Sequence, residues 1–316
     1  MPGLAWEPMK ALIDFDAAPV FGIPTRDGSG VREGMLLEGP QSWGEFSPPH
    51  DADDAVAVRW LTAAMEGGTV GWPDPRRGRI PIAVTVAAVD PVAAHRIVVD
   101  SGCRTAAVEV GLRPDTLSAD VDRVAAVRDA LGPDGRMRCR ATELVDSSAA
   151  RSIAALTRAA GALEFVELDC PTAADVAALR AAVDVPIAGD VRWAQMVDVV
   201  VLRSGPLGGV RRALRLAELG ERPCVVSSAR ETSVGAAADL ALAGALPELP
   251  FACALGTATL TGDVVSPQRA LVPVDGYLPV APMSAAPDPL LLQRYALADE
   301  RVDWWRRRLR SAYSAA

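Results

Sequence analysis

Five short apolar runs each carry an ionisable residue at or beside their end. They are Ala106-Ala107-Val108-Glu109-Val110, Met137-Arg138-Cys139-Arg140-Ala141, Phe165-Val166-Glu167-Leu168-Asp169, Pro186-Ile187-Ala188-Gly189-Asp190 and Val199-Val200-Val201-Leu202-Arg203. Runs of this kind, mostly separated by helical patterns, read as parallel strands of an α/β barrel. Barrel active sites lie at the C-terminal ends of the strands. Glu109, Arg140, Glu167, Asp190 and Arg203 are therefore expected to converge in one mouth. Glu109 could act there as a general acid or base, or pair with Arg203 or Arg140. Arg203 could hold a substrate carboxylate or pair with Glu109. Arg140 could fork onto Glu167 and Asp190 together. Asp169 shares the two-residue phase of Glu167 and could point inward beside it; the alternative is a cap for the segment that starts at Pro171.

Two further stretches suit anions. Ser227 and Ser228 end one strand before a helix that starts near Thr232, and Gly208 and Gly209 open another helix. Helix N-termini present free N–H groups to carboxylates, so these four residues are candidate substrate contacts, or else inherited packing. His50 follows Ser47-Pro48-Pro49 on a loop that could reach the mouth, whereas His95 sits inside a helical pattern. The only lysine is Lys10, which excludes a lysine base in the barrel. The five cysteines, Cys103, Cys139, Cys170, Cys224 and Cys253, fit no zinc spacing and read as small buried hydrophobes.

The elements that must position these groups follow in order. Residues 1–78 read as a small α+β cap, completed by residues 258–316; residues 79–257 read as the barrel. Strand one is expected over Ile80 to Val89 and strand eight over Phe251 to Gly256. Val274 to Leu278 looks like a strand returning to the cap, and Glu300 to Tyr313 like an amphipathic helix with its arginines in solvent and its tryptophans inward. Only seven residues, Val191 to Val197, separate strands five and six. A parallel crossover through a full helix needs about a dozen, so that helix must be lost or cut to a turn, and the wall open or patched. The chain has 316 residues, 50% hydrophobic content and a net charge of −8. That is ample for a large core and argues against nucleic acid or an anionic membrane as partner. No signal-peptide core is visible at the N-terminus, and a cytoplasmic protein is expected.

Several motifs carry a resemblance. They include Phe21-Gly22-Ile23-Pro24-Thr25, Arg32-Glu33-Gly34, Trp43-Gly44-Glu45-Phe46, Pro206-Leu207-Gly208-Gly209-Val210, Val226-Ser227-Ser228-Ala229, Glu231-Thr232-Ser233-Val234-Gly235 and Trp304-Trp305. Through them the chain resembles the actinobacterial o-succinylbenzoate synthases, menaquinone-pathway dehydratases of the enolase superfamily, over nearly its whole length. The resemblance implies an enolase-superfamily modified TIM barrel, (β/α)7β-like, under an α+β capping domain. It also implies Mg²⁺ on three carboxylates of strands three to five, flanked by lysines on strands two and six. This chain departs at three of those five positions: Glu109 and Arg203 stand for the lysines and Arg140 for the first carboxylate. Ala107 stands for a further lysine of the strand-two motif. Glu167 and Asp190 match metal ligands. The loop after Thr25 is shortened to Arg26-Asp27-Gly28-Ser29-Gly30.

Three carboxylates with Mg²⁺ carry the same net charge as Arg140 with Glu167 and Asp190. The expectation is therefore that the guanidinium replaces one carboxylate and the metal together, leaving no cofactor and no metal ligands. The functional expectation is a repurposed enzyme: metal-independent acid–base, dehydration, isomerisation or cyclisation chemistry on a small carboxylate- or carbonyl-bearing compound, as in specialised metabolism. The alternatives are a noncatalytic binding or partner protein, and residual o-succinylbenzoate synthase activity. A homo-oligomer or a partner at the open barrel wall is a further expectation.

Overall fold

Short capping signals set the element boundaries in the computed structural model, which describes residues 12–26, 28, 30–256 and 259–316. Lys10, the loop residues Asp27 and Ser29, and Thr257 lie outside the described residues. Strands β1 (Val20–Pro24), β2 (Val31–Glu38) and β3 (Trp43–Phe46) pair antiparallel in that order. Helix α1 (Asp54–Met65) follows. Asp53 caps it by accepting from the Val56 N–H, and Asp54 lies in its first turn, where the helix dipole favours an acid.

The chain then enters the barrel through β4 (Arg79–Pro81) and β5 (Ala83–Val86). The single strand expected over Ile80 to Val89 is thus two. Pro81 lacks a donor N–H, and β4 turns away to pair with a later strand. Helix α2 (Pro91–Ser101) starts on the Asp90 cap with proline at its first position and stops at Gly102, whose φ of 62° is the left-handed conformation that favours glycine. The alternation continues through β6 (Thr105–Val110), α3 (Leu117–Leu131), β7 (Arg136–Leu144), α4 (Ala150–Ala160), β8 (Val166–Asp169), α5 (Ala173–Ala182), β9 (Ile187–Asp190) and β10 (Val199–Leu202). It then runs through α6 (Ser204–Leu207), α7 (Val210–Leu219), β11 (Cys224–Val226) and α8 (Ser233–Ala245).

Strands β5 to β11 form one parallel sheet in sequential order. The expected eighth strand shrinks to two parallel bridges, Ile82 with Cys253 and Ser227 with Ala254, which close the ring. Between β9 and β10 a single 3-10 turn, Val191–Trp193, stands for the missing helix. The wall is patched there by Val191, Trp193 and Met196, which pack on the core. Strand β6 is buried on both faces, as a parallel strand between helices and interior must be. Val108 and Val110 face the helix layer, while Ala107 packs inside with Ala83 and Ala254.

Strand β12 (Tyr277–Pro279) pairs with β4, not with the cap as expected. The last two helices are α9 (Pro289–Arg294) and α10 (Asp299–Ser314). Trp305, Leu309 and Ala312 of α10 share a core with Phe46, Trp60 and Met65 of the cap. Burying a side chain of the size of Leu309 contributes about 2 kcal/mol. The arginines of α10 are not simply solvated: Arg301 bonds Glu33, Arg308 bonds Asp54 and Arg310 bonds Asp16. No helix among the described residues is long and apolar enough to cross a membrane.

Candidate active site

Strand register brings the predicted charges together. Glu109 pairs in register with Arg140, and Arg140 with Glu167, on three adjacent strands. Asp190 ends β9, opposite Val201, and Arg203 directly follows β10. Glu109 is two residues from the inward Ala107 and shares its phase.

The pairing differs from expectation. Arg140 does not bridge Glu167 and Asp190. Its Nε lies 3.3 Å from Glu167 Oε1, and Arg203 Nη2 donates to that same oxygen. Burial pushes the Glu167 carboxyl up, but Arg203, Arg140 and Arg138 together hold it below the usual carboxylate range. Asp190 instead caps its own turn, accepting from the Arg192 N–H at 2.9 Å. The missing helix is the physical cause: the tight turn needs its first donor satisfied. Glu109 pairs with neither Arg203 nor Arg140. It is 2% exposed, and its Oε1 lies 3.5 Å from Arg230 Nη2.

Around these groups lies a cavity of about 620 Å³. Arg140, Glu167, Asp169, Asp190 and Arg203 line it, with Glu143, Arg192 and, from the cap, Val56 and Arg59. Glu109 is not on its wall. Asp169 ion-pairs with Arg192 and does not cap the next helix; Thr172 does, accepting from the Asp175 N–H. The half-exposed Asp169 carboxylate simply meets the guanidinium two residues past Asp190.

The other candidates do not line this cavity. Gly208 and Gly209 lead into α7, but the α7 N-terminus is taken by Glu66 of the cap, which accepts from the Val210 and Arg211 N–H groups at 2.6 and 3.2 Å. A side chain at Gly209 would sit 2.2 Å from Glu66 Oε2. The α8 N-terminus is taken by Glu45, whose Oε2 accepts from Thr232 N, Thr232 Oγ1 and Gly235 N. Ser228 Oγ donates to Glu231, and the buried Ser227 hydroxyl has no hydrogen-bond partner among the described residues. Burial pushes the Glu45 carboxyl up to about 7; Arg32 opposes this and Glu231 adds to it. His50 stays in the cap, 3.5 Å from Glu33 and edge-on to Trp304 and Trp305. Its loop is held by α10 rather than turned to the mouth.

Sequence reasoning missed Arg59, Arg192, Arg230, Glu45 and Glu66. One signal existed for Arg230: the matching motifs run through Ala229, skip position 230 and resume at Glu231. Arg230 also holds φ of 70° without being glycine, a costly conformation that favours functional or tightly packed loops.

Comparison with known proteins places the chain. A family profile described as "Enolase C-terminal domain-like" matches residues 91–285, and one described as "Enolase N-terminal domain-like" matches residues 24–68. The o-succinylbenzoate synthase of Thermobifida fusca is 46% identical over 310 residues, covering 93% of this chain and 95% of that protein. That of Mycobacterium ulcerans is 41% identical, covering 94% of each. Among solved structures, muconate lactonizing enzyme from Pseudomonas fluorescens, complexed with muconolactone, superposes with a TM-score of 0.73 at 17% identity, over 89% of this chain and 98% of that one. That likeness concerns the fold.

These relatives correct one expectation. A cofactor-free site does not stand, because the curated relatives are o-succinylbenzoate synthases and the superfamily generally uses Mg²⁺. Glu167 and Asp190 are the residues here that would hold that ion. Their present arrangement does not fit a three-carboxylate site: Glu167 is engaged by two guanidiniums, Asp190 caps a turn, and Arg140 brings a cation to the third position. Among the described residues no cluster of three or more His, Cys, Asp or Glu could hold a metal. No chemical step is therefore assigned to Mg²⁺. With both domains matched and relatives of 46% and 41% identity along its length, the chain belongs to the enolase superfamily, as a divergent o-succinylbenzoate synthase-like member.

Proposed function

We propose that the barrel mouth carries out acid–base chemistry of the lyase, isomerase or cyclase type on a small carboxylate- or carbonyl-bearing metabolite, as in specialised metabolism, and that this reaction is not the o-succinylbenzoate synthase reaction. The observation that carries this reading is the cavity of about 620 Å³ at the strand ends, still lined by charged groups after the lysine positions have become Glu109 and Arg203. A pocket of that size suits a small ligand, and its charged lining suits an ionic one. In this reading Arg140 and Arg203 stabilise negative charge on the substrate. Asp190 lines the cavity and exchanges protons with the substrate, and Glu167 holds the two guanidiniums in place.

A second reading is a noncatalytic binding protein. Glu109 favours it, being buried off the cavity wall and held by Arg230.

Solvent deuterium exchange separates the two readings. Small 2-oxo acids, unsaturated carboxylates and lactones would be incubated with the protein in D₂O, with Mg²⁺ and with EDTA, beside the o-succinylbenzoate synthase substrate. Deuterium entering a carbon of one of these compounds, lost in Asp190→Asn, is the expected result. Turnover of the synthase substrate itself would overturn the proposal. Binding without exchange would establish the second reading.

A further inference from the structure

The cap contributes a cation that none of the five strand ends supplies. Arg59 lies on α1, on the roof of the cavity. Its Nε donates to the Pro206 carbonyl at 2.7 Å, just past Arg203. Among the described residues no carboxylate lies within ion-pair distance of Arg59, so its terminal nitrogens carry no charge partner. Close packing fixes it there. A side chain at Gly205 would meet the Trp60 ring at 2.6 Å, so α1 rides directly on α6. The Glu66 clamp on α7 lies two turns further along the same cap helix and its continuation.

Charge decides what such a cation is for. Arg192 is closed by Asp169, and Glu143 is drawn away to Arg113 at 3.2 Å. That leaves Arg59, Arg140 and Arg203 facing Glu167 and Asp190 on the inner wall, with Glu143 sharing Arg113 with Asp115. Arg203 and Arg140 both spend their contact on a single oxygen of Glu167. An incoming carboxylate can therefore lie between Arg59 above and Arg203 below without displacing an existing pair from Arg59. Guanidinium forks match carboxylates in a plane, and such charge-assisted bonds are the strong ones.

We infer that Arg59 is an anion receptor of the roof, which with Arg203 binds the carboxylate of a small organic acid. The inference rests on the reading of the mouth as a small-carboxylate site. Arg59 takes no part in proton transfer; it positions the ligand and ties its binding to the cap.

Calorimetric titration of the full chain with o-succinylbenzoate, benzoate and inorganic phosphate tests this. The two carboxylates are expected to bind, and Arg59→Gln is expected to weaken them by about tenfold or more. Arg59→Lys should recover part of the loss. Phosphate distinguishes a general oxyanion site, for which all three probes would fall together, from a carboxylate site, for which phosphate binds more weakly throughout. Thermal melting of each variant guards against a folding defect; Arg59→Met, which keeps the stem that packs on α6, must weaken binding as well. Wild-type protein that binds neither carboxylate, or Arg59→Gln that binds them as wild type does, overturns the inference. If binding depends on Arg59 but no deuterium exchange is found, the catalytic reading alone is lost. If exchange is found and its apparent KM is unmoved in Arg59→Gln, the roof receptor alone is lost.

Discussion

The seam between cap and barrel and the mouth below it use the same groups to opposite ends. At the seam, Glu45 and Glu66 each fill a helix N-terminus with a carboxylate, and every such contact is internal. At the mouth, two guanidiniums share one carboxylate, a third has none among the described residues, and a cavity remains open. Both regions are rich in charge, yet one is a closed joint and the other a site. Geometry that suits an anion is thus no evidence of a ligand until its donors are counted. The donors behind Gly209 and beside Ser228 are taken by Glu66 and Glu231, whereas no carboxylate among the described residues lies within ion-pair distance of Arg59.

The largest expected effect lies at the joint. Glu45→Ala would strand the Thr232 and Gly235 N–H groups and remove the main charge that opposes the lowering of the Arg32 pKa by burial. A loss of about 4 kcal/mol is expected in chemical denaturation. Glu45→Gln keeps an acceptor and should cost far less. If alanine and glutamine are equally mild, the joint is not held by this residue.

The mouth should answer more weakly. Glu167→Gln removes the single carboxylate between Arg140 and Arg203 and leaves two guanidiniums side by side. About 3 kcal/mol of destabilisation is expected, and added small carboxylates should restore part of it by binding there. Failure of any carboxylate to raise the melting temperature of this variant would count against an anion site.

Titration sharpens the contrast. Glu45 has a folded pKa of about 7 against an ordinary value of 4.5. Its contribution to stability is therefore fully present below about pH 4.5 and lost as pH rises through about 7. Glu167 is shifted the other way, so its contribution is present above its ordinary pKa and lost only in acid. His50, held low first by burial and then by Arg301, loses stability as pH falls below its ordinary value, opposing Glu45 there. The difference between wild type and Glu45→Gln isolates the joint. Wild type should lose about 2 kcal/mol relative to that variant between about pH 5 and about pH 8. A flat difference would mean that Glu45 stays ionised throughout.

The sequence made the strand ends legible because parallel strands leave their termini in one plane. The buried runs around Glu109, Arg140 and Glu167 then put three charges in register. The lost helix followed from seven residues that could not hold one. What was not legible was which charge meets which. Arg140 was free to choose Asp190 by composition, but the tight turn claims Asp190 for a backbone N–H. Strand one was misread as continuous because periodicity does not show that Pro81 ends one pairing and begins another. Arg59 and Glu66 sit on a cap helix whose docking onto α6 and α7 is a long-range event, invisible to local pattern.

The smallest effect concerns Arg230, which stands beside the joint and reaches a strand-end carboxylate. Its neighbours belong to the joint: Ala229 N–H and Ser228 Oγ both bond Glu231. Its side chain reaches the strand-end Glu109. The left-handed backbone at φ 70° costs an L-residue about 1 kcal/mol that glycine does not incur. Arg230→Ala should therefore be less stable than Arg230→Gly by about 1 kcal/mol, because it alone keeps the strain. Either substitution also leaves the buried Glu109 without this partner, a cost that the two variants share. The two variants differ only in the strain, so equal melting temperatures would show that the loop relaxes freely. Unequal ones would show that the Glu231 bonds impose the conformation, and with it the aim of the guanidinium at Glu109.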